Sequence, residues 1–115
     1  MVIGLRIELE EIDRTIILRI EGRIDASSAS ILDRKINQLI EEQHSSLALD
    51  FSRVDYLSSA GMRVLLAATK KLKSKKGHLI LFSLSEEVSE IINLAGFDKI
   101  LHLCSTEKEA LQYNK

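Results

Sequence analysis

Hydrophobic and polar residues alternate at the start of the chain, with Ile3, Leu5, Ile7 and Leu9 on one side and Gly4, Arg6, Glu8 and Glu10 on the other. A period of two marks a half-buried strand over residues 3–10. Asp13-Arg14 offers a hairpin turn, and Thr15 to Ile20, rich in β-branched residues, predicts a second strand antiparallel to the first. Gly22-Arg23-Ile24-Asp25 closes it, and Asp25 or Ser27 can cap the next element.

The period then changes to that of a helix. From Ser28 to Glu42, Ile31, Leu32, Ile36, Leu39 and Ile40, with the stem of Lys35, form an apolar stripe. Leu47-Ala48-Leu49-Asp50-Phe51 is a short apolar run, as expected of a central strand covered on both faces. Asp50 and Ser52 are expected at its end. Met62, Leu65, Leu66, Thr69 and Leu72 mark a second helix, which finishes in a lysine-rich run at 70–76 before Gly77. His78 to Phe82 predicts a further strand. A helix from Glu86 carries Val88, Ile91, Ile92 and Ala95 as far as Gly96. Lys99 to Leu103 predicts a last strand, and Thr106 with Glu109 a capping box at the start of a terminal helix.

The predicted order is β-β-α-β-α-β-α-β-α. It implies one α/β domain over residues 1–115, with a mixed, mostly parallel sheet of about five strands, an antiparallel N-terminal edge strand and four helices.

Composition narrows the function. The chain has 115 residues, of which 45% are hydrophobic and 29% charged, so it can build a core without disulfides or metal staples. Its 16 basic and 17 acidic side chains leave a formal net charge of −1, which argues against direct nucleic-acid binding. The single cysteine, Cys104, excludes a disulfide framework and suits a reducing compartment. With no signal-peptide pattern and no apolar run of membrane-spanning length, the expected location is the cytoplasm, with no membrane contact.

Catalytic and cofactor patterns are also missing. Ser59 has Leu57 two residues before it, where a nucleophile elbow has glycine. His44, His78 and His102 have no evident orienting acid, and the two strand histidines read as structural. No spaced Cys/His set predicts a metal, no glycine-rich phosphate loop predicts a nucleotide, and no cofactor is expected. The lysine run reads as a solvated helix end before it reads as a patch for an acidic partner.

What remains is the segment Val54 to Leu66. It places Ser58 and Ser59 where a strand gives way to a helix, at the carboxyl end of a parallel sheet, where unpaired N–H groups and a positive dipole end gather. Gly61 in the first turn lets another group come close. A phosphate on Ser59 would be tolerated there, with Arg63 one turn on as a partner for its charge. Either serine can also be an ordinary helix cap, and the residues alone leave both readings open.

Nearly the whole chain resembles a STAS domain, the fold of bacterial anti-sigma factor antagonists. The closing Gly22-Arg23-Ile24-Asp25 is similar to that family's G-x-L/I-D. Asp50 to Met62 is similar to its D-x-S-x-V-x-Y/F-M/L-D-S-S/T/A-G-L/M, and the tract Ile91 to Ile100, with Leu94, Gly96 and Phe97, matches its third helix and last strand. The resemblance implies a protein that is not an enzyme and works by partner switching. Its unphosphorylated form would bind an anti-sigma factor that is also a serine kinase of the histidine-kinase-like ATPase fold. Phosphorylation would release it, and a PP2C-type phosphatase would restore it. The target serine maps onto Ser59. Ser58 stands where the family has an acid, which makes Ser58 the second candidate. Asp25, Asp50, Ser58, Ser59, Gly61, Met62 and Arg63 are the expected partner-binding residues. The rival readings are a non-switching STAS subunit, for example of a lipid-transport ABC ATPase, and an enzyme with Ser59 as nucleophile.

Overall fold

The computed structural model describes residues 4–113; Ile3, assigned above to the first strand, lies outside them. Strands β1 (Leu5–Ile12) and β2 (Thr15–Ile24) form a hairpin whose two turn residues, Asp13 and Arg14, both have positive φ, 51° and 69°. That backbone twist matches the twist of the flanking strands, which is why so short a turn closes the pair. Next in the chain come helix α1 (Ala29–Glu41), β3 (Ser46–Leu57), α2 (Ser59–Ser74), β4 (His78–Phe82), α3 (Glu86–Leu94), a 3-10 turn at Phe97–Lys99, β5 (His102–Cys104) and α4 (Glu107–Gln112). The five strands lie in sequence order, β1 antiparallel to β2 and the rest parallel. The predicted order of elements and the predicted mixed sheet are both present.

Each parallel crossover carries its helix over the same face. The larger core there joins Leu32, Ile36 and Leu39 of α1, Leu65 and Leu72 of α2, and Val88 and Ile92 of α3 to Leu18, Leu47, Leu49, Phe51 and Leu81 of the sheet. The other face is covered only in part. Ala110 of α4 packs there on Ile17, Ala48, Ile80 and Phe82.

Three expectations need correction. β3 does not end near Asp50 but continues to Leu57. Its pairing with β2 slips twice, between Arg19 and Glu21 and between Gly22 and Arg23, each time with an extra residue on β3. The bulges change the inward period from two to three, so Phe51, Val54 and Leu57 are all buried. Ile31, assigned to the buried stripe of α1, is 40% exposed, and Ala29 takes its place inside. The last strand begins at His102 rather than Lys99, because Gly96, at φ 79°, ends α3 and the chain makes a 3-10 turn before entering the sheet.

Candidate functional site

The bulged end of β3 brings Ser58 beside the end of β2, where the Ser58 amide donates to the Ile24 carbonyl at 2.8 Å. Ser58 is the N-cap of α2. Its backbone is extended, and its Oγ accepts the Gly61 amide at 3.1 Å while its carbonyl accepts the Met62 amide at 2.9 Å. Ser59 is the first helical residue and is exposed. Among the described residues its hydroxyl has no hydrogen-bond partner. The two adjacent hydroxyls therefore have different jobs: Ser58 caps the helix, and Ser59 faces solvent at its positive end. No acidic residue in the first turn offsets that dipole.

Gly61 and Met62, expected among the partner-binding residues, are buried. A Cβ on Gly61 would lie 2.6 Å from Ile24 Cγ2 and 2.8 Å from Leu57 Cδ1, so the close approach that this glycine permits is between α2 and its own sheet. Met62 is 6% exposed and belongs to the main core. Arg63 is exposed one turn from Ser59, and among the described residues it is in no ion pair.

Asp25 lies directly after Ile24 and builds the neighbouring turn. Its Oδ1 accepts the Ser27 hydroxyl at 2.8 Å and the Ser28 and Ser27 amides at 2.9 and 3.0 Å. The Ser27 hydroxyl, helped by Ser28, holds this carboxyl down at about 2. Of the two candidate caps, neither bonds an amide of α1: Asp25 takes the amides of the turn before it, and the N-cap, Ser28, makes no side-chain cap bond. Instead the buried Ser28 Oγ donates to the Arg23 carbonyl at 2.7 Å and accepts the Asp25 amide at 2.9 Å.

Asp50 is not part of this cluster. It sits in the first half of β3, seven residues before Leu57 and so roughly 23 Å away along an extended strand. Its side chain belongs to the α4 side of the sheet, where Arg19 joins Asp50 at 3.0 Å, Glu10 at 2.8 Å and Glu107 at 2.7 Å. Burial works against the Asp50 carboxylate, but the Ser52 amide and hydroxyl and Arg19 bring its pKa below the ordinary value. Arg19 is held more firmly protonated than usual, first by Glu107.

Two features near the site were not anticipated. The Arg23 guanidinium lies 4.6 Å from the centroid of Tyr56, its cross-strand partner, and Tyr56 is 36% exposed. Beside them, a depression of about 470 Å³ is lined by Glu21, Gly22, Arg23, Asp25, Arg53 and Asp55, and so borders Asp25. The Arg23–Tyr56 pair was visible only in the bulged register, which residue spacing does not reveal.

The model of the STAS domain matches residues 6–110. The chain belongs to the STAS domain family. Anti-sigma-F factor antagonist RsfB of Mycobacterium tuberculosis is 32% identical over 98 residues, covering 83% of this chain and 77% of that protein. The anti-sigma-B factor antagonist of Bacillus subtilis is 27% identical over 109 residues, covering 95% and 99%. The crystal structure of an anti-sigma factor antagonist from Mycobacterium paratuberculosis superposes with a TM-score of 0.87 at 27% identity, over 95% of this chain and 92% of that one. As a STAS domain with anti-sigma factor antagonists as homologues, the protein falls in a family of regulators rather than enzymes. Among the described residues, no group of three His, Cys, Asp or Glu side chains is placed to hold a metal, and no helix is long and apolar enough to cross a membrane.

Proposed function

We propose that this STAS domain is an anti-sigma factor antagonist that switches partners in the cytoplasm through phosphorylation of Ser59. The unphosphorylated form binds an anti-sigma factor that is also a serine kinase of the histidine-kinase-like ATPase fold. Phosphorylation ends that complex, and a PP2C-type phosphatase resets it. The names of the relatives, antagonists of anti-sigma-F and anti-sigma-B factors, support the partner class.

The observation that carries the choice of residue is the division of labour between two neighbours. Ser58 Oγ is engaged with the Gly61 amide, whereas Ser59 presents an exposed hydroxyl at the start of α2. A kinase can reach the second without opening the cap.

A phosphate at Ser59 adds about −1.5 to −2 charges. A protein interface shaped around a neutral hydroxyl would then have to bury that charge, at several kcal/mol unless it is paired. The contact surface is expected to be Ser59 with Arg63, Ser58 and Asp25, supported from beneath by Gly61 and Met62. Asp50 is outside it.

The test is incubation with the cognate kinase and ATP, then site-resolved mass spectrometry. Labelling should fall on Ser59 and vanish in Ser59→Ala, while Ser59→Glu should lose binding to the unmodified protein's partner. Full labelling of Ser59→Ala would overturn the assignment.

A further inference from the structure

The terminal helix α4 is lightly held on the sheet. It has six residues, too few to be stable alone, and only Ala110 of it is fully buried. Two further anchors hold it. Glu107 at its start pairs with Arg19, and Tyr113 just past its end meets two histidines. The Tyr113 ring centroid is 4.9 Å from that of His78 and 4.1 Å from that of His102, at interplanar angles of 62° and 68°.

The two histidines are diagonal neighbours on adjacent strands, since His102 pairs with Ile80, two residues after His78. They therefore share one face beneath the same tyrosine.

We propose that α4 is a proton-sensitive clasp: Tyr113 bridges His78 and His102 while His78 is neutral, and acidification releases the C-terminal helix from the sheet. The groups facing the pair account for the direction. His78 Nε2 lies 3.3 Å from the Ser46 hydroxyl of β3, His102 is its neighbour on β5, and α4 contributes Tyr113. Among the described residues, the only histidine within ion-pair distance of a carboxylate is His44, whose partner is Glu42. A charged His78 would lie against the Tyr113 ring and beside His102, and among the described residues no carboxylate is within ion-pair distance of it.

Burial, and then the proximity of His102, pushes the His78 pKa down. The unfolded or undocked chain therefore binds the proton more readily. The contribution to docking is complete above the ordinary histidine value of about 6.5 and is lost as the pH falls through it.

Cys104 supplies the readout. It packs at the edge of the apolar cluster under α4, and its thiol is pushed up by burial and then by Glu109 of that helix. The experiment measures its labelling by dithiodipyridine, which stays reactive in mild acid, relative to a free cysteine peptide at each pH. The normalised rate should rise several-fold from about pH 7.5 to 5.5, with hydrogen exchange of the β3 amides unchanged. It should be high throughout in Tyr113→Ala and independent of pH in the His78→Gln, His102→Gln double variant. A flat wild-type profile would overturn the clasp. So would an unchanged profile in the double variant, or loss of β3 protection in step with labelling. Ser59 takes no part, so the outcome is independent of the switching proposal.

Discussion

Replacing Gly61 by alanine tests whether α2 is positioned by direct contact between its first turn and the strand ends below. The new Cβ would lie 2.6 Å from Ile24 Cγ2 and 2.8 Å from Leu57 Cδ1, both closer than carbon atoms pack. Neither neighbour can yield cheaply. Ile24 Cγ2 is attached at Cβ and turns only if χ1 changes, and Ile24 and Leu57 are 0% and 1% exposed. Overpacking of this kind costs about 1–3 kcal/mol. Alanine's better helix propensity returns at most about 1 kcal/mol, and less in a first turn. The net expectation is a loss of about 1–2 kcal/mol, or about 4–8 °C in Tm for a domain of this size.

Thermal and urea unfolding monitored by circular dichroism measure it directly. Gly96→Ala is the control. It has no atom within 4 Å of its would-be Cβ but a φ of +79°, so its cost of about 1 kcal/mol comes from the backbone alone. Because the clash displaces the first turn of α2, which presents Ser59, Gly61→Ala should also slow kinase labelling of Ser59, whereas Gly96→Ala should not. A Gly61→Ala protein as stable as the parent would refute the packing argument.

The polar groups of the same turns make separate contributions that can be measured one at a time. Ser58→Ala removes the N-cap and should cost about 1 kcal/mol while leaving Ser59 a substrate, and Ser59→Ala should change stability by less than about 0.5 kcal/mol while abolishing labelling; urea titration with mass spectrometry separates the two, and equal stability losses would contradict the assignment of the cap. Asp25, held at about 2, is favoured as a carboxylate in the folded state, so its contribution is complete above the unfolded value of about 3.9 and disappears as the pH falls toward 2. The stability gap between the parent and Asp25→Asn should accordingly be level from about pH 7 to 5 and close below about pH 4; a gap unchanged at about pH 2 would exclude the Ser27 and Ser28 hydrogen bonds as its source.

The elements that were legible in the sequence are those whose signal is local. The Asp13-Arg14 hairpin, the strand His78–Phe82 and the Thr106 cap each depend on residues within a few positions of one another, and each forms. β3 was cut short for a reason that periodicity cannot reach. Two bulges convert the alternation of Leu47, Leu49 and Phe51 into the spacing Phe51, Val54, Leu57, which resembles neither a strand nor a helix. Truncating that strand placed Asp50 at the wrong end of the sheet. Gly61 and Met62, which are buried, count among the expected partner-binding residues because spacing alone does not say which side of a first helical turn meets the core. The histidine–tyrosine cluster joins β4, β5 and the region after α4, and nothing in their separate neighbourhoods announces it.

The buried members of the motif explain how a phosphate could act here without unfolding the domain. Val54 and Leu57 anchor the bulged end of β3, Gly61 and Met62 seat α2 on it, and Ser58 and Asp25 satisfy the adjoining turns. Around Ser59 almost every group is thus already committed to packing or to a hydrogen bond. A charge added at its exposed hydroxyl meets a frame that, among the described residues, has no buried cation to rearrange toward, since Arg63 is already at the surface. Under the proposed switch, the modification is therefore expressed at the interface, as a lost surface match, and not in the fold. The same frame accounts for glycine at position 61: any side chain there would tilt the helix that presents the serine.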